Sequence, residues 1–453
     1  NQPDMFGKKA SKKEIAKAKK KVAKLEEQKA EEEAGAFYRE AFEWRFEFPE
    51  VLDEEGKYRG FDVVLGNPPY GIKFPKDLNN YLKTKFVTNT WRGESYLAFI
   101  ELGQNLLKTY GKQGFIIPDT LLNLGFTNDL RNYLLNNTHL FELVLLPTNV
   151  FENATVDTIL IFAEKEILEE LDESDEVKVK FYSKDSIIDD LIHAEKEFFV
   201  QLKYWKELQS FNLYSDEEEL RIILKLDRFQ SLEKIGSVYS GIKTYEVGKG
   251  TPPQKKETRK NKPFTSDEKH SKEWSPFYDG KHIGRFTNHW NENNWIKYGE
   301  WLAAPRDPAI FEGEKILARK IVSDRLIATY IPEKSYCNTL LFIIKLESEE
   351  FTYKSLLGIL NSKLIGWYYR KKFQINPEDT FPQILIRDIN QFPIPEATTE
   401  YNNQIESCIN QILTAKNENP ESDTSKLEAE IDRLVYELYG LSEEEIGIVE
   451  GSE

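Results

Sequence analysis

Apolar and polar positions change their spacing several times along the 453-residue chain. Over Lys8–Glu33 a thin stripe of Ile15, Ala18, Val22 and Leu25 runs among lysines up to Lys24 and glutamates from Glu26 on, which predicts one charged helix. From Gly35 the texture turns aromatic, with Phe37, Phe42, Trp44, Phe46 and Phe48 ahead of Pro49. Phe61 to Leu65 is a short apolar run stopped by Gly66-Asn67-Pro68-Pro69-Tyr70, which reads as a buried parallel strand ending at a turn. Tyr96 to Tyr110 then suits a helix, Gly114 to Pro118 a second strand, Asp119 to Leu135 a helix, Phe141 to Leu146 a third strand and Thr158 to Ala163 a fourth. Such alternation implies an open α/β sheet with helices on both faces. Gly, Pro and short β-like runs dominate Leu232 to Pro395, which predicts a separate α+β domain. Near the end Leu427, Ile431, Leu434, Val435 and Leu438 share one face of a helix that Gly440 caps.

Charge sharpens these divisions. The formal net charge is −16, yet residues 231–330 hold 18 Lys/Arg against 13 Asp/Glu, with Trp, Tyr and Phe interleaved. A phosphate backbone would lie there. Residues 164–220 and 396–453 are strongly acidic by contrast. The segments are therefore 1–34, a charged helix; 35–165, part of an α/β domain; 166–228, an acidic linker or helical layer; 229–395, the α+β domain; and 396–453, C-terminal helices. No run of eighteen apolar residues occurs and the first thirty positions are Lys- and Glu-rich, which argues against a membrane span or signal peptide and for a soluble, cytoplasmic protein. Two cysteines without a CxxC pair and five histidines predict neither a disulfide framework nor a structural metal.

Asn67-Pro68-Pro69-Tyr70 stands where α/β sheets place their ligands, past the carboxyl end of a strand. The exocyclic amine of a ring such as adenine is a poor nucleophile, because its lone pair is delocalised. The Asn67 side-chain oxygen and the Pro68 carbonyl can each accept one amine hydrogen and aim the lone pair at a methyl donor. Two consecutive prolines, Pro68 and Pro69, order the turn in advance. Tyr70 supplies an aromatic face for a base that has left the helical stack.

These residues resemble motif IV of the amino-methyltransferases. The flanks Phe42-Glu43-Trp44 to Val51 and Gly60 to Gly66 resemble type IIG restriction-modification enzymes and related DNA adenine-N6 methyltransferases. Gly114-Phe115-Ile116-Ile117-Pro118 resembles motif VI, and Asn149 to Thr158 resembles motif VIII. The resemblance implies a partial Rossmann-like methyltransferase sheet, with Asn67, Pro68, Pro69 and Tyr70 catalytic and Phe151 stacking on a flipped base opposite Tyr70. It also implies S-adenosylmethionine as methyl donor. No Gly-rich cofactor turn precedes Asn67, so the resemblance places that motif upstream of Asn1, and no nuclease motif is found in the chain.

Gly241 to Gln254, with Trp295 to Gly299, Lys315 to Lys320, Tyr336-Cys337-Asn338, Phe381 to Ile384 and Phe392 to Pro395, resembles the TaqI-like C-terminal specificity domain. Double-stranded DNA is the partner this implies. Within it Lys243, Tyr245, Lys249, Arg319, Lys320 and Arg325 are the candidates for DNA contact, arginine being the side chain able to pair bidentately with guanine. Two other readings fit part of the pattern: a DNA-binding specificity fragment without catalysis of its own, and a protein-glutamine methyltransferase, which presents an amide nitrogen to the same acceptors.

Overall fold

The computed structural model describes residues 12–33, 42, 44–72, 74–88, 94–151, 156–166, 171, 175–186, 193–376, 382–396 and 398–451. Lys8 to Ser11, Phe37, Glu43, Glu152 to Thr155 and Phe381, all singled out above, lie outside the described residues. Helix α1 (Lys12–Glu33) is the expected charged helix, and its described side chains are exposed. A single turn, α2 (Trp44–Glu47), leads to Phe48, whose ring meets Phe61 edge-on with centroids 5.5 Å apart.

A six-stranded sheet follows, built from β1 (Phe61–Gly66), β2 (Leu107–Pro118), β3 (Thr138–Leu145), β4 (Thr158–Lys165), β5 (Glu176–Phe181) and β6 (Lys196–Gln201) in the order β1-β2-β4-β3-β5-β6. β1 runs parallel to β2 and β3 parallel to β5, while β4 lies antiparallel between β2 and β3. The α/β class holds, with a mixed rather than wholly parallel sheet. Between the strands lie α3 (Lys76–Lys85), α4 (Ser95–Leu106) and α5 (Asn128–Asn137), and after β6 come α6 (Leu202–Leu208) and α7 (Glu217–Leu226).

Three local expectations change. The helix expected over Tyr96–Tyr110 ends at Leu106, because Leu107 already pairs with Phe61. Gly60, at φ +95°, makes that pairing possible: a Cβ there would meet the Leu107 carbonyl carbon at 2.6 Å. Asp119–Leu135 is two 3-10 turns and then α5, tied together by the buried Arg131, whose guanidinium donates to the Leu121, Leu124 and Gln209 carbonyls. The stretch 166–228, expected as linker or helical layer, supplies β5, β6, α6 and α7. Val177, Val179 and Val200 are wholly buried there, so alternation decides the structure despite the acid excess.

The next region opens with β7 (Gln230–Ser231) and β8 (Gly236–Ser240), then α8 (Lys256–Asn261), β9 (Thr265–Ser266), β10 (Trp274–Tyr278), the small hairpin β11 (Ile283–Gly284) and β12 (Thr287–Asn288), and β13 (Trp295–Lys297). β14 (Lys315–Arg319), β15 (Ala328–Ile331), β16 (Tyr336–Cys337) and β17 (Leu341–Leu346) complete two four-stranded sheets, ordered β15-β14-β17-β8 and β16-β10-β13-β9. α9 (Tyr353–Leu360), α10 (Lys363–Lys372), α11 (Ile386–Asn390) and β18 (Pro393–Ile394), which pairs with β7, close this α+β region. α12 (Thr399–Glu418), α13 (Ser425–Leu438) and α14 (Glu443–Glu450) end the described chain, and Gly440 past α13 has φ +62°.

Period two lets the β14–β17 ladder serve two cores at once. Ile316, Ala318, Phe342 and Ile344 enter a large apolar cluster shared with the six-stranded sheet and the C-terminal helices, while Leu317, Leu341 and Ile343 enter a smaller one with Phe277, Ile296 and Cys337. Both cysteines are free and buried. Among the described residues no helix is long and apolar enough to cross a membrane, and no group of three or more His, Cys, Asp or Glu gathers as a metal ion requires.

Candidate functional site

The turn after β1 is held from two directions. Gly66, the last residue of β1, pairs with Phe115 of β2, and the Ser95 hydroxyl at the start of α4 donates to the Pro69 carbonyl. Pro68 is buried, Asn67 and Pro69 are exposed, and Tyr70 is half-buried. The Tyr70 hydroxyl lies 2.7 Å from Asn67 Oδ1 and 3.0 Å from the Ile116 carbonyl, and donates its single proton to one of them at a time. Burial raises the Tyr70 phenol above its ordinary value, so it stays a donor. Asn67 Oδ1 therefore keeps at least one lone pair for another donor, and among the described residues the Pro68 carbonyl accepts no hydrogen bond. Two oxygen acceptors on adjacent residues, fixed by prolines and by contacts to β2 and α4, can take both hydrogens of one amine.

Phe151 lies elsewhere on the same rim. It ends the 3-10 turn Thr148–Val150 in the connection from β3 to β4, and is half-buried. That connection is tied down where the Thr148 hydroxyl donates to Asp157 Oδ1 at 3.0 Å, and Asp119, just past β2, donates its N–H to the Asp157 carbonyl. Burial, with the Asp157 charge next in weight, raises the Asp119 carboxyl to about 6. The carboxyl ends of β1, β2 and β3 thus share one edge, with Asn67–Tyr70 and Phe151 both on it. No ring contact joins Phe151 to Tyr70 among the described residues.

S-adenosylmethionine has a carboxylate, an ammonium and ribose hydroxyls, all of which need polar partners. The recess beside Asn67 is lined by Val64, Leu65, Phe99, Leu102, Leu106 and Phe115, with Asn67 its one polar side chain. It suits an apolar ring face and does not fit the polar part of that cofactor. β1 is the end strand of the sheet, with Val63 and Leu65 exposed.

The six candidates in the α+β region part company. Arg325 is the clearest correction: its guanidinium pairs with Asp432 of α13 at 3.0 Å, the two side chains 11% and 5% exposed, so it serves as a structural tie and not as an exposed cation. Tyr245 is likewise engaged in packing, since its hydroxyl accepts the Phe264 N–H at 2.8 Å and its ring stacks on Phe264. Lys243 pairs with Glu246 at 2.6 Å. Lys249 is exposed, and Arg319 and Lys320, half-buried at the end of β14, form no ion pair among the described residues. Sequence reasoning misses Ser95, whose reach to Pro69 spans 26 positions. It also misses the basic residues of α8, although the density of Lys255, Lys256, Arg259, Lys260 and Lys262 is a signal in plain view.

A strand-end Asn-Pro-Pro-Tyr turn on a mixed α/β sheet is thus followed by a β-rich region with exposed cations. Residues 5–151 match the family model of the Eco57I restriction-modification methylases, and residues 275–394 match that of the TaqI-like C-terminal specificity domain. A putative type II restriction enzyme and methyltransferase of Methanocaldococcus jannaschii is 26% identical over 407 residues, covering 88% of this chain and 32% of the relative. The type II restriction enzyme and methyltransferase Eco57I of Escherichia coli is 29% identical over 39% of this chain and 17% of its own length. The chain thus spans a third or less of these relatives. Among solved structures, the type IIL restriction-modification enzyme MmeI in complex with DNA shares the fold over 91% of this chain and 58% of its own, with TM-score 0.55 and 13% identity.

Proposed function

We propose that the chain forms the acceptor side of a site-specific methyltransferase acting on adenine N6 in double-stranded DNA, within a restriction-modification or phage-defence system of the cytoplasm. The observation that carries this reading is the pair of oxygen acceptors, Asn67 Oδ1 and the Pro68 carbonyl, fixed at the end of β1. S-adenosylmethionine is the donor the family resemblance implies, and when bound it supplies an activated methyl group.

The chain's own residues do the rest. Asn67 and Pro68 accept the two amine hydrogens and turn the nitrogen lone pair outward. Tyr70 offers its ring to an extrahelical base, while the swap of its hydroxyl between Asn67 and Ile116 leaves the Asn67 oxygen free when the amine arrives. Phe151, on the same edge, closes over the second face of the base. Base stacking of this kind contributes about 1–3 kcal/mol per base. The β-rich region after Gln230 holds the duplex, with Lys249, Arg319 and Lys320 as contact residues.

The apolar recess beside Asn67 favours a second reading, in which the chain recognises DNA and leaves cofactor binding to other residues. Binding to short duplexes that carry a fluorescent base analogue at a candidate adenine, with Asn67→Ala and Tyr70→Ala alongside, separates the two. A fluorescence rise that Tyr70→Ala removes and Asn67→Ala weakens is the expected result. Binding with no rise favours recognition alone, and a rise equal in both variants overturns the roles of Asn67 and Tyr70.

A further inference from the structure

Several cations in the β-rich region are neutralised or engaged: Lys297 pairs with Glu273, Lys334 with Glu312, Arg285 with Glu428, and the buried Lys315 donates to the Gly313 and Glu333 carbonyls. Six others are gathered in one stretch. Lys249, Lys255, Lys256, Arg259, Lys260 and Lys262 lie at the surface, and none forms an ion pair among the described residues. Glu257 is the one acidic residue within 249–262, so this short stretch carries a net +5 in a chain of net −16.

The stretch is also held stiffly. The buried Gln254 side chain donates to the Thr244 and Trp301 carbonyls and accepts the Glu246 N–H, fixing the loop that enters α8. Past α8, Lys262 takes φ +46° and Phe264 packs between Tyr245 and Trp301. Helical spacing sets Lys256 and Lys260 one turn apart on the same face of α8 with Arg259 beside them, and Lys255 and Lys262 flank the helix at its two ends. Like charges held this close repel one another, and an anion relieves the repulsion.

We infer that α8, with Lys249 and Lys262, is a grip on the phosphate backbone of duplex DNA, independent of base sequence. The inference rests on the reading that this chain acts on DNA, and it adds a surface that neither Arg319 nor Lys320 belongs to. Phosphate contacts of this kind set register and orientation and leave base reading to other side chains.

The test is anisotropy of fluorescein-labelled duplexes of several sequences across a salt series, with the chain as it stands, with the combined variant K255A/K256A/R259A/K260A, and with Lys334→Ala as a control outside the strip. Removing one lysine or arginine that neutralises a phosphate lowers the slope of log affinity against log salt by about 1. The combined variant is expected to show a slope smaller by about 2–4 and to weaken on every sequence alike, while Lys334→Ala keeps the slope and circular dichroism shows all three chains folded. A combined variant that binds with unchanged slope overturns the grip and leaves the DNA reading intact. Absence of binding by the unaltered chain at low salt overturns both.

Discussion

Asp119 lies at the rim of the sheet, one residue past β2, with a folded-state carboxyl near 6 against 3.8 in a free side chain. Between those two values the folded chain holds a proton that the unfolded chain has released. Stability from this group is therefore complete below about pH 4 and is lost as pH rises through about 6. Asp119→Asn removes the titration, so its stability relative to the unaltered chain should rise between about pH 4 and pH 8, by up to about 3 kcal/mol. Thermal midpoints at the two pH values measure it, and a constant difference would show that Asp119 is not held above its ordinary value. At this scale the sequence is legible wherever the residues of a turn are contiguous. Asn67, Pro68, Pro69 and Tyr70 are contiguous and build their own turn. Arg325 is not legible in the same way, because the residue that claims it, Asp432, lies 107 positions away.

Helices and strands show the same limit on a larger scale. β1 and β4 are legible as apolar runs, and α13 from its face of Leu427, Ile431, Leu434 and Leu438, but the burial expected of β1 is not found, because it is the end strand of the sheet and leaves Val63 and Leu65 exposed. β5 is hidden. In Glu176-Val177-Lys178-Val179-Lys180-Phe181 the apolar positions alternate with charges, but the acid excess of the surrounding segment masks that pattern. Val179 is fully buried, so Val179→Ala should cost about 2 kcal/mol in denaturant unfolding. Lys178→Ala, one position along on the outer face and paired with Glu197, should stay within about 0.5 kcal/mol. Equal effects would mean that β5 is not packed as described. The helix expected over Tyr96–Tyr110 is too long for a related reason: the contact that ends it, Leu107 with Phe61, is a tertiary one.

For the molecule as a whole, the division at residue 229 seen in composition is not a division in packing. One apolar cluster runs from Tyr96, Ile117 and Leu143 through Trp205 and Ile222 to Ile316 and Trp367, and on to Ile409 and Val435. Because β14 and β17 also carry the smaller cluster on their other face, loss of either core exposes the other. Calorimetry should therefore show one unfolding transition with matching calorimetric and van't Hoff enthalpies, and two separated transitions would show that the regions fold independently.

The bond between Arg325 and Asp432 bears on how the chain can be cut and rejoined. A replacement confined to residues 275–394 would carry Arg325 and Arg285 away and leave the buried Asp432, and Glu428 beside it, without their guanidinium partners. A graft that keeps both pairs has to take the terminal helix with the segment it braces, so the transplantable unit is longer than the matched one.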